Sequence, residues 1–160
     1  MKKIFSLFLA MALLVGCIPV NARAEEAVYP KVTHNYLTTD DFASDDWSTD
    51  QRGAYLGNGR STIARADSTH INISGNTNAT QTCDKIRLTL YVERSTSYAT
   101  GYGTYKSYSY SADNAYSLVK AVSNIPVDRG YYYRVTGVHS VTENGVTETT
   151  NSVTNPIDYR

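Results

Sequence analysis

The sequence predicts an all-β domain built as an antiparallel β-sandwich, and three observations carry that prediction. Apolar side chains recur at every second position in Ile86, Leu88, Leu90 and Val92, with Arg87, Thr89, Tyr91 and Glu93 between them. Turn-forming residues recur at intervals of about ten, which leaves six or seven short segments of strand length. Beyond the N-terminus, no stretch places its apolar residues at helical spacing.

Each element follows from its own residues. Ser61 to Ala66 is a weak strand, and His70 to Gly75 a short alternating one bounded by polar turn residues. Ile86 to Val92 is the strongest, with its buried and exposed sides already assigned. Tyr102 to Ser111 and Leu118 to Val127 are further strands, and Pro126 places the latter at an edge or a strand end because it has no N–H to donate. Tyr131 to Val138 is an aromatic and β-branched run opening after Asp128-Arg129-Gly130. The Asn144-Gly145 pair suits a tight type I′ hairpin, so this run pairs with Val146 to Val153. A small closed barrel is the alternative architecture. The sandwich is preferred because immunoglobulin- and fibronectin-like domains start a late core strand at such a turn with tyrosine, an analogy of fold that carries no function.

The N-terminus is of a different kind. Lys2 and Lys3 precede an uncharged apolar run from Ile4 to Val15, too short for a membrane-spanning helix of roughly 20 residues and matched to a secretory signal. Two processing signals follow it. Ala22 and Ala24 suit a release cut before Glu25, whereas Leu14-Val15-Gly16-Cys17 resembles a lipobox whose Cys17 is acylated, fixing the protein to a membrane. Release is favoured, since Ile18-Pro19 is an unusual lipoprotein start. Residues 1–24 are thus read as a signal peptide, and the protein is expected outside the cytoplasm, secreted or, through Cys17, membrane-anchored. Either cut leaves Cys83 without a disulfide partner, so stability must come from a packed core.

Residues 25–51 carry seven acidic side chains and one basic, Lys31, and read as an acidic, flexible arm. Phe42 and Trp47 complicate that reading, because large aromatics in an arm tend to dock. Whether the Asp41 to Trp47 end packs on the domain is left open. Residues 52–160, with eleven basic and eight acidic side chains, form the β-domain and have no basic patch of the density that nucleic-acid binding requires.

Arg52-Gly53-Ala54-Tyr55-Leu56, Ser61-Thr62-Ile63, Asp84-Lys85-Ile86 leading into Tyr91-Val92-Glu93-Arg94, and Gly130-Tyr131-Tyr132-Tyr133-Arg134-Val135 with Gly137 and His139 resemble a family of small secreted Gram-positive bacterial proteins. That family is grouped only as a domain of unknown function. The resemblance spans Arg52 to Ile157 and implies an extracellular β-sandwich. It supplies no activity or binding residues, and the Tyr98 to Tyr116 segment and the acidic leader look peculiar to this chain.

Tyrosine is the compositional anomaly, at 14 of 160 residues, and six of the fourteen crowd between Tyr98 and Tyr116. A tyrosine offers a flat apolar face with a hydroxyl at its rim, so such a row suits stacking on sugars or a rigid protein-binding patch. Tyr102, Tyr105, Tyr108 and Tyr110 are the candidate ligand-binding residues. Tyr108 and Tyr110 share a face if this segment is a strand, while ordinary cross-strand packing is the bland alternative.

Other constellations weigh less. His34, His70 and His139 lack metal spacing, and His139 reads as a satisfied, partly buried residue on the face of Val135 and Tyr133. Cys83 reads as an inert packed thiol. The Asp40 to Asp46 run lacks the spacing of a calcium loop, and Asn72-Ile73-Ser74 and Asn78-Ala79-Thr80 match a glycosylation pattern common by chance. No catalytic residues, metal site or cofactor are expected. The sequence therefore points to an exported, non-catalytic module binding an extracellular protein, the envelope or a polysaccharide. A hydrolase would require Asp or Glu to meet His70 or His139 in one cleft.

Overall fold

A computed structural model describes residues 41–48 and 53–160 of the 160. The segment read as a signal peptide, Cys17, His34 and most of the stretch read as an acidic arm lie outside the described residues. Seven strands follow in order: β1 (Phe42–Ser48), β2 (Leu56–Arg65), β3 (His70–Ser95), β4 (Gly103–Pro126), β5 (Tyr132–Glu143), β6 (Val146–Val153) and β7 (Ile157–Asp158). All pair antiparallel, in the order β1-β2-β3-β5-β6, with β4 also on β3 and β7 on β5.

The strands are not uniformly short, because β3 runs for 26 residues and β4 for 24. Four expected strands have fused in pairs: His70 to Gly75 continues into Ile86 to Val92, and Tyr102 to Ser111 into Leu118 to Val127. The joining segments, Asn76 to Lys85 and Ala112 to Ser117, are small and polar and read as loops in sequence. In the fold they remain extended but bend, and the β3–β4 register shifts between Asn78 and Cys83. Asn114, with φ of 49°, takes up part of the bend on β4.

That bend makes one sheet into two facing limbs. The first half of β3 carries β2 as far as Ala79; the second half, from Lys85, carries β5. β4 accompanies both halves along the opposite side of β3. Across the interior, Ser61 of β2 bonds Ser152 of β6 at 2.6 Å, and Thr77 of β3 bonds His139 of β5 at 2.9 Å. β1 reaches β6, so the sheet is nearly closed and barrel-like. The all-β antiparallel class holds, with the two layers continuous through β3 and β4.

The core lies between the limbs. Ile86, Leu88, Leu90 and Val92 are fully buried, each contributing about 1.5–3 kcal/mol by leaving water; Ile63, Ile71 and Ile73 join the same core from β2 and the first half of β3, and Val135 lies beside Val92 on β5. Gly75 sits where a Cβ would come within 2.8 Å of Leu90, so the limbs approach closely at that point. The hairpin forms as expected, with Asn144 and Gly145 both at positive φ (50° and 76°) and Glu143 paired to Val146. Pro126 ends β4, a strand with one partner among the described residues.

The end of the acidic segment does pack. Phe42–Ser48 pairs with β2 from Ala64 to Asn58, and Asp41 takes the backbone N–H of Arg65 at 2.7 Å and its side chain at 2.6 Å. The sheet thus begins ten residues before position 52, inside the stretch read as an arm. Period-two alternation is weak in Phe42-Ala43-Ser44-Asp45-Asp46, and of the β1 positions whose side chains are described, Phe42 to Ser44, Ala43 is the buried one.

Candidate functional site

The candidate tyrosines lie along β4. Tyr110 pairs with Leu88 and Tyr108 with Leu90, so both rings are on the core side of the sheet and cover the open rim of the core. Ser107, Ser109 and Ser111 alternate with them on the outer face and are exposed. The shared face expected for Tyr108 and Tyr110 is present, and it is the inner one.

Tyr102 and Tyr105 are engaged within the fold. The Arg134 guanidinium lies 4.0 Å from the Tyr102 ring centre, and the Tyr102 hydroxyl donates to the Tyr98 carbonyl at 3.0 Å. Burial pushes the Tyr102 phenol up to about 12. Tyr105 stacks edge-on against Tyr133 at 5.7 Å, and its hydroxyl donates to the Pro126 carbonyl at 3.1 Å, tying the two ends of β4 together. The four tyrosines are therefore not one exposed row. Two are packing groups, and Tyr108 and Tyr110 form the half-buried remainder.

Around them stands a set of arginines that sequence reasoning missed. Arg94 lies 4.5 Å from both the Tyr105 and Tyr131 rings and bonds Asp128 at 2.5 Å. Arg134 pairs with Glu93 at 2.7 Å; Arg65 lies over Tyr159 and Arg160 over Tyr132. Each guanidinium has an aromatic face and a carboxylate, an arrangement that neutralises charge and rigidifies this end of the sheet. The signal was present in Tyr91-Val92-Glu93-Arg94 and Tyr133-Arg134, but only strand pairing brings Glu93 opposite Arg134. Tyr133 anchors this end. Its hydroxyl accepts from the Asp128 N–H at 2.9 Å and donates to the Asp128 carbonyl at 3.1 Å, which fixes the turn into β5.

His139 is wholly buried, more deeply than expected, in a polar node of hydroxyls. Its Nε2 bonds Ser152 Oγ at 2.8 Å and its Nδ1 bonds Thr77 Oγ1 at 2.9 Å. Burial pulls the imidazole from 6.5 down to about 4, so the ring is neutral at pH 7. Gly59 and Gly137 leave the space it occupies, since a Cβ on Gly137 would lie 2.7 Å from Nε2 and one on Gly59 would overlap the ring. These bonds satisfy a buried polar side chain, and no carboxylate is among its partners.

His70 bonds Asp67 at 3.0 Å within one exposed turn, with Thr69 on the same carboxylate. That turn holds Asp67 down to about 2, first through the Thr69 backbone N–H. Cys83 is buried, its thiol pushed up by burial and donated to the Gln81 carbonyl at 3.3 Å. Asn72 accepts from the Asn124 N–H, and Asn78 bonds Asn58 and Ser117, so both glycosylation-pattern asparagines belong to polar ladders of the outer face. Among the described residues, no cluster of His, Cys, Asp or Glu is arranged for a metal ion, and no helix is long and apolar enough to cross a membrane.

Beside Tyr110, the outer face has an open depression of about 360 Å³, lined by Arg87, Thr89, Ser109, Tyr110 and Ser111. It adjoins the outer edge of β4, which among the described residues pairs with β3 alone. Among the described residues, this edge is the longest stretch of strand with no partner on its outer side. Pro126 points to an edge or strand end for Leu118 to Val127, the second half of this strand, but not for the tyrosine half, because the partner of a strand is set by topology.

No curated protein and no solved structure matches the chain. A family model does match, over residues 21–157, and so reaches further toward the N-terminus than the residues that first suggested the resemblance. The chain belongs to the family of unknown function DUF6147.

Proposed function

We propose that this protein is an exported, non-catalytic interaction module that engages a protein partner at or beyond the cell envelope through the outer edge of β4. The observation that carries this reading is that edge, a 24-residue strand with one neighbour among the described residues, bearing exposed serines on one face and half-buried tyrosines on the other. An unpaired strand offers a row of N–H and C=O groups to an incoming strand, and alternate side chains give specificity. The basic and apolar leader with its two processing signals supports export. The setting of the histidines supports a non-catalytic role: His139 is held by hydroxyls inside the core, and His70 meets its one carboxylate partner within its own turn.

The test is retention of the purified protein on envelope fractions, wild type against a Ser107→Lys, Ser111→Lys variant. Both positions are exposed, so the fold is preserved while the edge becomes charged. Equal retention sinks the reading. Tyr105 is unsuitable for this purpose, because removing it takes away a core contact with Tyr133. Intact mass of the exported protein distinguishes release before Glu25 from acylation at Cys17, and so secretion from anchoring.

The depression beside Tyr110 favours a second reading, a carbohydrate-binding surface, since the Arg87 guanidinium and the hydroxyls of Thr89, Ser109 and Ser111 converge on it as hydrogen-bonding groups. Binding to a polysaccharide that is lost on Arg87→Ala and retained in the Tyr108→Phe variant is its signature.

A further inference from the structure

We propose that the partner of the β4 edge is a second copy of this chain, joined antiparallel about a two-fold axis through Ser109; this deepens the reading above and rests on it. The segment Ser107-Tyr108-Ser109-Tyr110-Ser111 reads the same in both directions. It lies in unbroken register with β3, from Tyr91 opposite Ser107 to Arg87 opposite Ser111, so it is straight as well as symmetric.

Edge strands are ordinarily guarded against pairing by charge, proline or bulges. β4 has such guards on both sides of this segment. Lys106 stands before it; Asp113 and the positive-φ Asn114 stand after it, with Lys120, Asn124 and Pro126 beyond. From Ser107 to Ala112 there is no charge, no proline and no shift of register. The unguarded stretch coincides with the palindrome.

Antiparallel pairing about a two-fold axis places residues of the same face opposite one another. With Ser109 on the axis, Ser109 faces its own copy, Ser107 faces Ser111 of the other chain, and Tyr108 faces Tyr110. The outer face then pairs hydroxyl with hydroxyl, and the inner face pairs ring with ring, both favourable cross-strand combinations. Shifting the axis by one position in either direction ends the pairing of like with like: with the axis at Tyr108, Lys106 would face Tyr110, and with the axis at Tyr110, Ser107 would face Asp113. In the Ser109 register the two halves of the sheet run on through β4 into the second copy as one continuous antiparallel sheet.

The experiment is sedimentation equilibrium of the full exported chain with paired charge variants. Wild type is expected to dimerise reversibly. Ser107→Lys with Ser111→Lys opposes like charges twice, whereas Ser107→Lys with Ser111→Glu opposes unlike charges twice. The two are expected to differ by about tenfold or more in dimer dissociation constant, with the Lys/Glu variant the tighter. Register is read separately by cysteine cross-linking: Ser109→Cys is expected to cross-link to itself, Ser107→Cys to cross-link with Ser111→Cys in a mixture, and Ser107→Cys alone not to.

A wild-type chain that remains monomeric up to about 1 mM overturns the proposal, as does a dimer whose stability ignores both charge variants or whose cross-links follow another register. A monomer whose retention on envelope fractions is still lost in the Lys/Lys variant overturns self-pairing alone and leaves the interaction reading in place. A monomer with unchanged retention overturns both.

Discussion

Tyr133 on β5 and Tyr110 on β4 both point to the core side of the sheet, yet the first is wholly buried and the second only half so. The strands that carry them explain the difference. Among the described residues, β5 has β3 along one side and β6 and β7 along the other, while β4 has β3 alone. A ring on the doubly flanked strand is roofed by neighbours, and Tyr133 meets Tyr105, Tyr131 and Tyr159 edge-on. A ring on the edge has one open flank. The same side chain is therefore a structural anchor in one run and contact surface in the other, and position in the sheet decides which.

The largest expected effect breaks or upholds that contrast directly. Tyr133→Ala should destabilise the domain by about 3–5 kcal/mol in chemical denaturation, since it empties a packed site and frees the Asp128 turn. If Tyr110→Ala costs as much, the contrast between centre and edge is wrong.

A pH titration sharpens the contrast on the β5 side. The unfolded chain takes up a proton on His139 near its ordinary 6.5, and the folded chain refuses it until about 4. Stability from this group is thus fully present above pH 6.5, is lost as pH falls toward 4 and then levels off. The loss is on the order of 3 kcal/mol. The difference between wild type and His139→Gln across that window measures it, and a flat difference would mean that the ring is hydrated.

Glu148 on β6 gives a smaller effect, through hydrogen bonds. Its carboxylate accepts the backbone N–H groups of Ala54, Tyr55 and Leu56 at 2.8, 3.1 and 2.7 Å, fastening the chain before β2 to the far limb. Glu148→Ala should cost about 1–2 kcal/mol in thermal unfolding. No loss would mean that water replaces the carboxylate without penalty.

The smallest expected effect belongs to the edge. Tyr110→Ala should cost about 1 kcal/mol or less, within the range of surface substitutions, while weakening self-association. A variant that loses stability without losing association would reverse the roles assigned to the two strands.

Much of this fold was legible in the chain. Alternation put Ile86, Leu88, Leu90 and Val92 inside, and Asn144-Gly145 located the hairpin, because both signals are local consequences of backbone geometry. The fusion of strands was not legible: Asn76 to Lys85 has the composition of a loop, and only pairing along both flanks of β3 keeps it extended. Nor was the docking of Phe42–Ser48, whose sequence lacks the alternation that marks the other strands.

At the candidate site the division is similar. The sequence by itself determined that tyrosines crowd one segment, that serines alternate with them and that the alternation is palindromic, since these are properties of order along the chain. Tertiary structure alone decided that Tyr102 and Tyr105 are spent on Arg134, Tyr133 and Pro126 while Tyr108 and Tyr110 stay at the rim. It also decided that His139 lies among hydroxyls and that β4 keeps an open side. Those facts depend on which strands become neighbours, and that is set by how a bent sheet folds over its own core.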